Sequence, residues 1–157
     1  MKNAMNILIS DNPRDGVLRL VMDDQKSGNA LSEEMMNKLI ETIEMASIDD
    51  SVKVIILAAE GGIFSSGHNL KQITDAREQG EDGEPYFKQL FDQCSSLMKL
   101  IVKCPKPIIA QITGIATAAG CQLVATCDLA YASSSAKFAT PGVNLGLFCS
   151  TPMVALT

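Results

Sequence analysis

Two segments combine residue types and spacing suited to chemistry: Phe64-Ser65-Ser66-Gly67-His68-Asn69-Leu70-Lys71 and Gly114-Ile115-Ala116-Thr117-Ala118-Ala119-Gly120-Cys121-Gln122. Small side chains let backbone N–H groups come close to a bound group. Where such a run opens a helix, those N–H groups also carry the favourable end of the helix dipole for negative charge. Tight turns use the same residues, and neither segment matches the G-x-x-x-x-G-K-[ST] or G-x-G-x-x-G phosphate patterns. His68, the single histidine, is a candidate acid or base near neutral pH, but no carboxylate stands beside it in sequence to orient it. After Asp92 the only carboxylate is Asp128, so any carboxylate chemistry in the later segment has only that residue to draw on. Asn144 and Ser150 are polar groups able to hold a water without acting as bases. The five cysteines (Cys94, Cys104, Cys121, Cys127, Cys149) contain no C-x-x-C pair and form no familiar zinc set with His68, so they read as buried, reduced thiols and no metal is expected.

Alternating strand and helix signals position these segments. Residues 7–10 and 17–22 read as strands around a turn at Asn12-Pro13-Arg14-Asp15-Gly16. Ser32 offers a helix N-cap, followed by Glu33 and Glu34 at the positive end and an apolar stripe of Met36, Leu39, Ile40, Ile43 and Ala46. Asp49-Asp50-Ser51 ends that helix, and residues 54–59 form an apolar, β-branched run typical of a strand buried on both faces. After the first candidate loop and an acidic stretch over 75–84, Pro85 suits the first turn of a second helix, with Phe87, Leu90, Phe91, Cys94, Leu97, Met98 and Ile101 on its stripe. Cys104-Pro105-Lys106-Pro107 stops it. A strand over 108–112 follows, then the small-residue run opening a short helix to Ala125, then strands around 129–132 and 137–139. This pattern predicts α/β layering in one domain over residues 1–157.

Composition narrows the classes. The chain has 157 residues, 46% hydrophobic and 20% charged, which excludes collagen, disulfide mini-proteins and disordered tails. No apolar run reaches the ~18 residues of a membrane span, and residues 1–10 lack the blocks of a signal or transit peptide, so the expected compartment is cytoplasmic with no membrane partner. The net charge of −5 is unevenly spread: residues 93–157 hold only one acid, Asp128, against Lys99, Lys103, Lys106 and Lys137. No dense basic stripe points to nucleic acid.

The chain resembles the crotonase superfamily, the enoyl-CoA hydratase/isomerase family, through Lys26-Ser27-Gly28-Asn29-Ala30-Leu31-Ser32, the 64–71 loop, the 114–128 stretch and Lys137-Phe138-Ala139-Thr140-Pro141-Gly142. Within it the likeness is greatest to the subgroup of enoyl-CoA hydratase domain-containing protein 3. The resemblance implies a crotonase-like (ClpP/crotonase) fold of repeated ββα units and an acyl-CoA or enoyl-CoA thioester as partner in fatty-acid metabolism. No separate cofactor is implied, since coenzyme A is part of the substrate. It also implies an oxyanion hole made by the backbone N–H groups of His68 and Ala119. Coenzyme A contacts would come from Lys26, Asn29, Ala30, His68, Asn69, Leu70, Lys71 and Ala119. The family's two catalytic glutamates match Gln122 and Gly142, neither of which can take a proton from water. Two functions therefore stand: hydration of 2-enoyl-CoA or related enolate chemistry, and a catalytically silent acyl-CoA-binding homologue. Against the family, 157 residues is the N-terminal core of one domain, without the usual C-terminal helices. The trimer or hexamer expected of full-length members is doubtful for so short a chain.

Returning both carboxylates, Gln122→Glu with Gly142→Glu, is expected to raise crotonyl-CoA hydration, each acid/base group being worth about 10²–10⁴ in rate. Loss of crotonyl-CoA absorbance measures it. An unchanged rate in a folded double variant contradicts the placement of these two positions.

Overall fold

The apolar, β-branched run Val54–Ala59 has no polar face to offer water, and it forms β3 at the centre of a sheet. The computed structural model describes residues 6–78, 84–146 and 148–157. Leu8–Arg14 (β1) and Val17–Met22 (β2) precede Glu33–Ile48 (α1), and β3 is followed by Ile63–Ser65 (β4), Leu70–Glu78 (α2) and Glu84–Lys103 (α3). Ile108–Ile112 (β5), Ile115–Thr117 (β6) and Ala119–Thr126 (α4) come next, then Leu129–Ala132 (β7), Lys137–Ala139 (β8) and Ser150–Leu156 (α5).

The strands form two sheets, β1-β2-β3-β5-β7 and β4-β6-β8. Among the described residues only the β1–β2 pair is antiparallel, and the other pairs are parallel. In each successive pair β3/β4, β5/β6 and β7/β8, the first strand joins the large sheet and the second joins the small one. This is the repeated ββα plan of the crotonase-like fold. It brings the ends of β4 and β6 together although 50 residues of sequence separate them.

Several local features follow the sequence signals. Ser32 Oγ accepts the Met35 N–H at 3.1 Å and caps α1. Lys106 Nζ donates to the Ala46 and Asp49 carbonyls, closing the other end of the same helix. α1 buries Met35, Met36, Leu39 and Ile43, and α3 buries Leu90, Leu97 and Ile101, in one cluster with Leu20, Ile55, Leu57 and Ile108 of the large sheet. Each such side chain is worth about 1.5–3 kcal/mol on leaving water.

Three expectations need correction. The turn expected over 12–16 is confined to Asp15 and Gly16, because β1 continues through Pro13 to Arg14. Pro13 is tolerated because β1 is an edge strand whose register slips between Asp11 and Arg14. The run 114–120 does not simply open a helix: its middle is strand β6, and α4 begins at Ala119. The segment 64–71 likewise begins in β4 and ends in α2. Part of the expected acidic stretch, 75–78, is the end of α2, and residues 79–83 lie outside the described residues. β7 and β8 form where expected, at the sheet edges, with Leu129, Tyr131 and Phe138 exposed.

Leu97→Ala is expected to lower unfolding free energy by about 2–5 kcal/mol through the cavity it leaves. Val102→Ala, one turn further on the exposed face of the same helix, should change it by less than ~0.5 kcal/mol. Urea unfolding checks both. Equal effects contradict the packing of α3.

Candidate functional site

Parallel pairing of β4 with β6, Ile63 opposite Ile115 and Ser65 opposite Ala116, makes both strands point the same way into adjacent loops. The loop after β4 is Ser66-Gly67-His68-Asn69; the loop after β6 is the single residue Ala118. They touch at Gly67, whose φ is +92°; a Cβ there would lie 3.0 Å from Ala118 Cβ and 3.1 Å from Ala119 N. At the next residue of α4, a Cβ on Gly120 would lie 2.3 Å from the Ser65 carbonyl oxygen. Glycine is required at both places for the two loops to approach. Ala118 turns the chain from strand to helix at φ +50°, ψ −123°, a conformation costing a non-glycine residue about 1–3 kcal/mol. The Ala118 N–H donates to the Ala139 carbonyl at 3.0 Å and Thr117 Oγ1 donates to the Ser66 carbonyl at 3.1 Å, which hold the turn in place.

Among the described residues, no acceptor takes the N–H of His68 or of Ala119. Ala119 is the first residue of α4, where N–H groups have no partner within the helix. The two loops thus present two uncommitted backbone donors beside an approach too close to admit a side chain on Gly67. Such an arrangement can bind an oxygen on which negative charge accumulates.

A cavity of about 530 Å³ opens beside the loops, lined by His68 and Gln122 together with Phe91, Cys94, Met98 and Val102 of α3. The His68 ring packs edge-on against Phe91, centroids 5.5 Å apart at 82°. Its Nδ1 and the Oε1 of Gln122 are both buried without a hydrogen-bond partner. Burial pulls the His68 pKa below the ordinary imidazole range, opposed by the Leu31 carbonyl, so the ring is neutral at pH 7. Among the described residues that line the cavity, none is a carboxylate. This part of the site can hold polar groups but contains no anionic base.

The remaining candidates divide clearly. Asn29 is fully buried: its Nδ2 donates to the Glu60 and Ile63 carbonyls at 2.9 and 2.7 Å, and its Oδ1 accepts from Asp24 N at 2.7 Å. That side chain is wholly engaged in tying the 24–31 segment to the β3–β4 connection, so only backbone there can meet a ligand. Ala30 is buried next to it, and the following Leu31 N–H donates to the Gly67 carbonyl at 2.8 Å, which props the first loop from behind. Asn69 is the cap of α2, its Oδ1 accepting from Lys71 N and Gln72 N at 3.0 and 3.3 Å. Lys26, Leu70 and Lys71 are exposed around this rim. Gly142 is buried in a 3-10 turn over Pro141–Leu145 and does not line the cavity, nor does Asn144 on the same turn. Ser150 is exposed at the start of α5. Asp128 is structural, its Oδ2 accepting the Ile108 N–H at 2.8 Å. Cys94 and Cys121 are buried and the other three half-buried, all as free thiols; burial pushes Cys94 up to about 11 and Cys127 up to about 12.

Phe91 corrects the sequence reading. Its place on the apolar stripe predicts core, yet it is half exposed and forms a cavity wall. Its position at the margin of the stripe, one residue from Leu90, was the available signal.

Residues 12–156 match the family model described as enoyl-CoA hydratase/isomerase. The chain is 51% identical over 149 residues to the mouse (Mus musculus) protein named enoyl-CoA hydratase domain-containing protein 3, mitochondrial, covering 95% of this chain and 48% of that protein. The crystal structure of human enoyl coenzyme A hydratase domain-containing protein 3 superposes with a TM-score of 0.86 at 47% identity, over 96% of this chain and 57% of that one. An enoyl-CoA hydratase structure from Mycobacterium smegmatis gives 0.87 at 45% identity, over 96% and 56%. The chain spans about half the length of the curated relatives it matches. The names of its mouse, frog (Xenopus laevis) and human relatives place those proteins in mitochondria, which overturns the cytoplasmic expectation.

Gly120→Ala should destabilise the chain by about 1–3 kcal/mol or more, since the new methyl meets backbone rather than a movable side chain. Thermal unfolding reads this, and a neutral result contradicts the close approach of α4 to β4. For His68, the ring is neutral in both folded and unfolded chains above about pH 6.5. Below that the unfolded chain binds the proton first, so stability falls with falling pH until the folded ring protonates too. Histidine NMR should show titration below 6.5, and His68→Gln should remove this part of the pH dependence. Titration at or above 6.5 contradicts the burial.

Proposed function

The chain belongs to the enoyl-CoA hydratase/isomerase family, and from that premise we propose that it binds acyl-CoA thioesters and polarises their carbonyl between the N–H groups of His68 and Ala119. The reading is supported above all by those two uncommitted donors, on loops brought together by the β4–β6 pairing, with His68 itself lining an apolar cavity. Each donor of this kind is worth about 10²–10³ in rate when charge develops on the bound oxygen. Because the donors are backbone groups, they do not depend on which side chains surround them.

The chemistry we assign is hydration of a 2-enoyl-CoA or a related reaction through an enolate, within fatty-acid metabolism. Both N–H groups take the thioester oxygen, and charge moves onto it as the α-carbon becomes nucleophilic. Gln122 and the neutral His68 ring hold a water or a polar substrate group next to the acyl carbons. Coenzyme A lies along the rim formed by Lys26, the backbone at Asn29 and Ala30, and Leu70 and Lys71. The compartment assigned by the same reading is the mitochondrion, and a trimer or hexamer is the assembly assigned to the full-length protein.

A second reading is favoured by one observation, that none of the described residues lining the cavity is a carboxylate. In that reading the chain binds acyl-CoA without turning it over. Losing a general acid or base typically lowers rate by about 10²–10⁴, so the two readings differ in rate, not in ligand.

Crotonyl-CoA absorbance with the purified chain separates them. The enzyme reading predicts a protein-dependent loss of signal, weakened about 10²-fold or more when Gly67→Pro displaces the His68 N–H. A rate equal to buffer, with a non-reactive acyl-CoA still binding by calorimetry, leaves the silent reading. No heat at millimolar acyl-CoA removes both.

A further inference from the structure

The cavity beside the two loops is elongated along α3, and its two ends differ in chemistry. One end holds His68 and Phe91; Cys94, Ser95 and Met98 follow along α3, and the other end holds Lys99 and Lys103 with Val102 between those two. At 1.5 Å per helical residue, Lys99 and Lys103 lie about 12 and 18 Å along α3 from Phe91. The middle of the wall is apolar.

Both lysines are exposed, and neither has an ion-pair partner among the described residues. Among the described residues the ion pairs are Asp11–Arg19, Glu34–Lys38 and Lys88–Asp92, and none involves Lys99 or Lys103. Lys106, by contrast, is spent on the carbonyls that end α1. A cation in the last turn suits the helix dipole, which accounts for Lys103. It does not account for Lys99 one turn earlier, because like charges four residues apart repel. The only acid after Asp92 is Asp128, and its carboxylate is taken by the Ile108 N–H. The carboxylate-poor half of the sequence therefore leaves two uncompensated cations at the far end of an apolar channel.

Resting on the thioester site proposed above, we infer that the preferred substrate class is a coenzyme A thioester of a dicarboxylic acid, whose distal carboxylate meets Lys99 and Lys103. The thioester oxygen is held at the loops, the methylene chain lies along Cys94 and Met98, and the second carboxylate reaches the lysines. Length selects the ligand: a chain too short leaves its carboxylate in the apolar section, where an unpaired charge is costly.

Calorimetry at low salt with length-matched pairs tests this: hexanoyl- against adipoyl-CoA, decanoyl- against sebacoyl-CoA, and dodecanoyl- against dodecanedioyl-CoA. The longer dicarboxylic members should bind about fivefold more tightly than their monocarboxylic partners, as expected for two partly solvated ion pairs. The short pair should show no such gain, and added salt should erase the gain. Lys99→Gln with Lys103→Gln should abolish the difference while leaving monocarboxylic binding within about twofold, and Lys99→Arg with Lys103→Arg should retain it. Equal affinities within every pair overturn the inference while the thioester site stands. So does a double Gln variant that weakens both members alike, since the lysines would then be reading coenzyme A phosphates. Binding of neither member overturns the thioester site itself.

Discussion

Parallel pairing of β4 with β6 governs everything downstream, because it decides how near two backbone N–H groups from distant segments can come. Each strand is only three residues long, so little hydrogen bonding holds the small sheet together. The approach is instead locked from several sides: Gly67 meets Ala118 and Ala119, Gly120 meets Ser65, and the Leu31 N–H fastens the Gly67 carbonyl. Asn29, its amide fully buried, then ties the Leu31 segment to the β3–β4 connection through two hydrogen bonds, while its Oδ1 accepts a third from Asp24 N within the segment. The strained φ of Ala118 persists because these contacts determine the turn from outside. Donors fixed in this way need no reorganisation when charge appears, the condition under which such a hole is most effective.

What surrounds the donors is electrically quiet. Gln122 and a neutral His68 leave two buried polar atoms without partners, each a liability of about 1–3 kcal/mol unless a bound group satisfies it. Charge enters only at the rims: Lys26 and Lys71 on the loop side, Lys99 and Lys103 at the far end of the cavity. A neutral channel between cationic rims suits an extended ligand that is anionic at its extremities and apolar in its middle. In the proposed reading the two loops supply the thioester-binding geometry, while the side chains around them set what lies on either side of the carbonyl.

Much of this architecture was legible in sequence wherever a long element had to bury one face. Ser32 with Glu33 and Glu34, and the stripe from Met36 to Ala46, gave α1 within two residues, and Pro85 marked the start of α3. Strands β3 and β5 were equally clear from their β-branched runs. The three-residue strands β4 and β6 were not, because they have too few residues for a period to show and their small side chains read as turn. α2 was missed because it buries no residue, so no apolar stripe marked it; Asn69 as its cap was the one available signal. The backbone donors at His68 and Ala119 came from resemblance, since no side chain announces an N–H. The mutual fit of Gly67 and Gly120 against the opposite loop appears only once the strands are paired.

The central claim is that the two loop N–H groups hold the oxygen of a CoA thioester. Isotope-edited infrared spectroscopy of a non-reactive acyl-CoA labelled at the thioester carbonyl tests it directly. Hydrogen bonding from both donors should lower the carbonyl stretch of the bound ligand below its value in water, and Gly67→Pro should return it toward that value. A ligand that binds with an unshifted carbonyl would contradict the account.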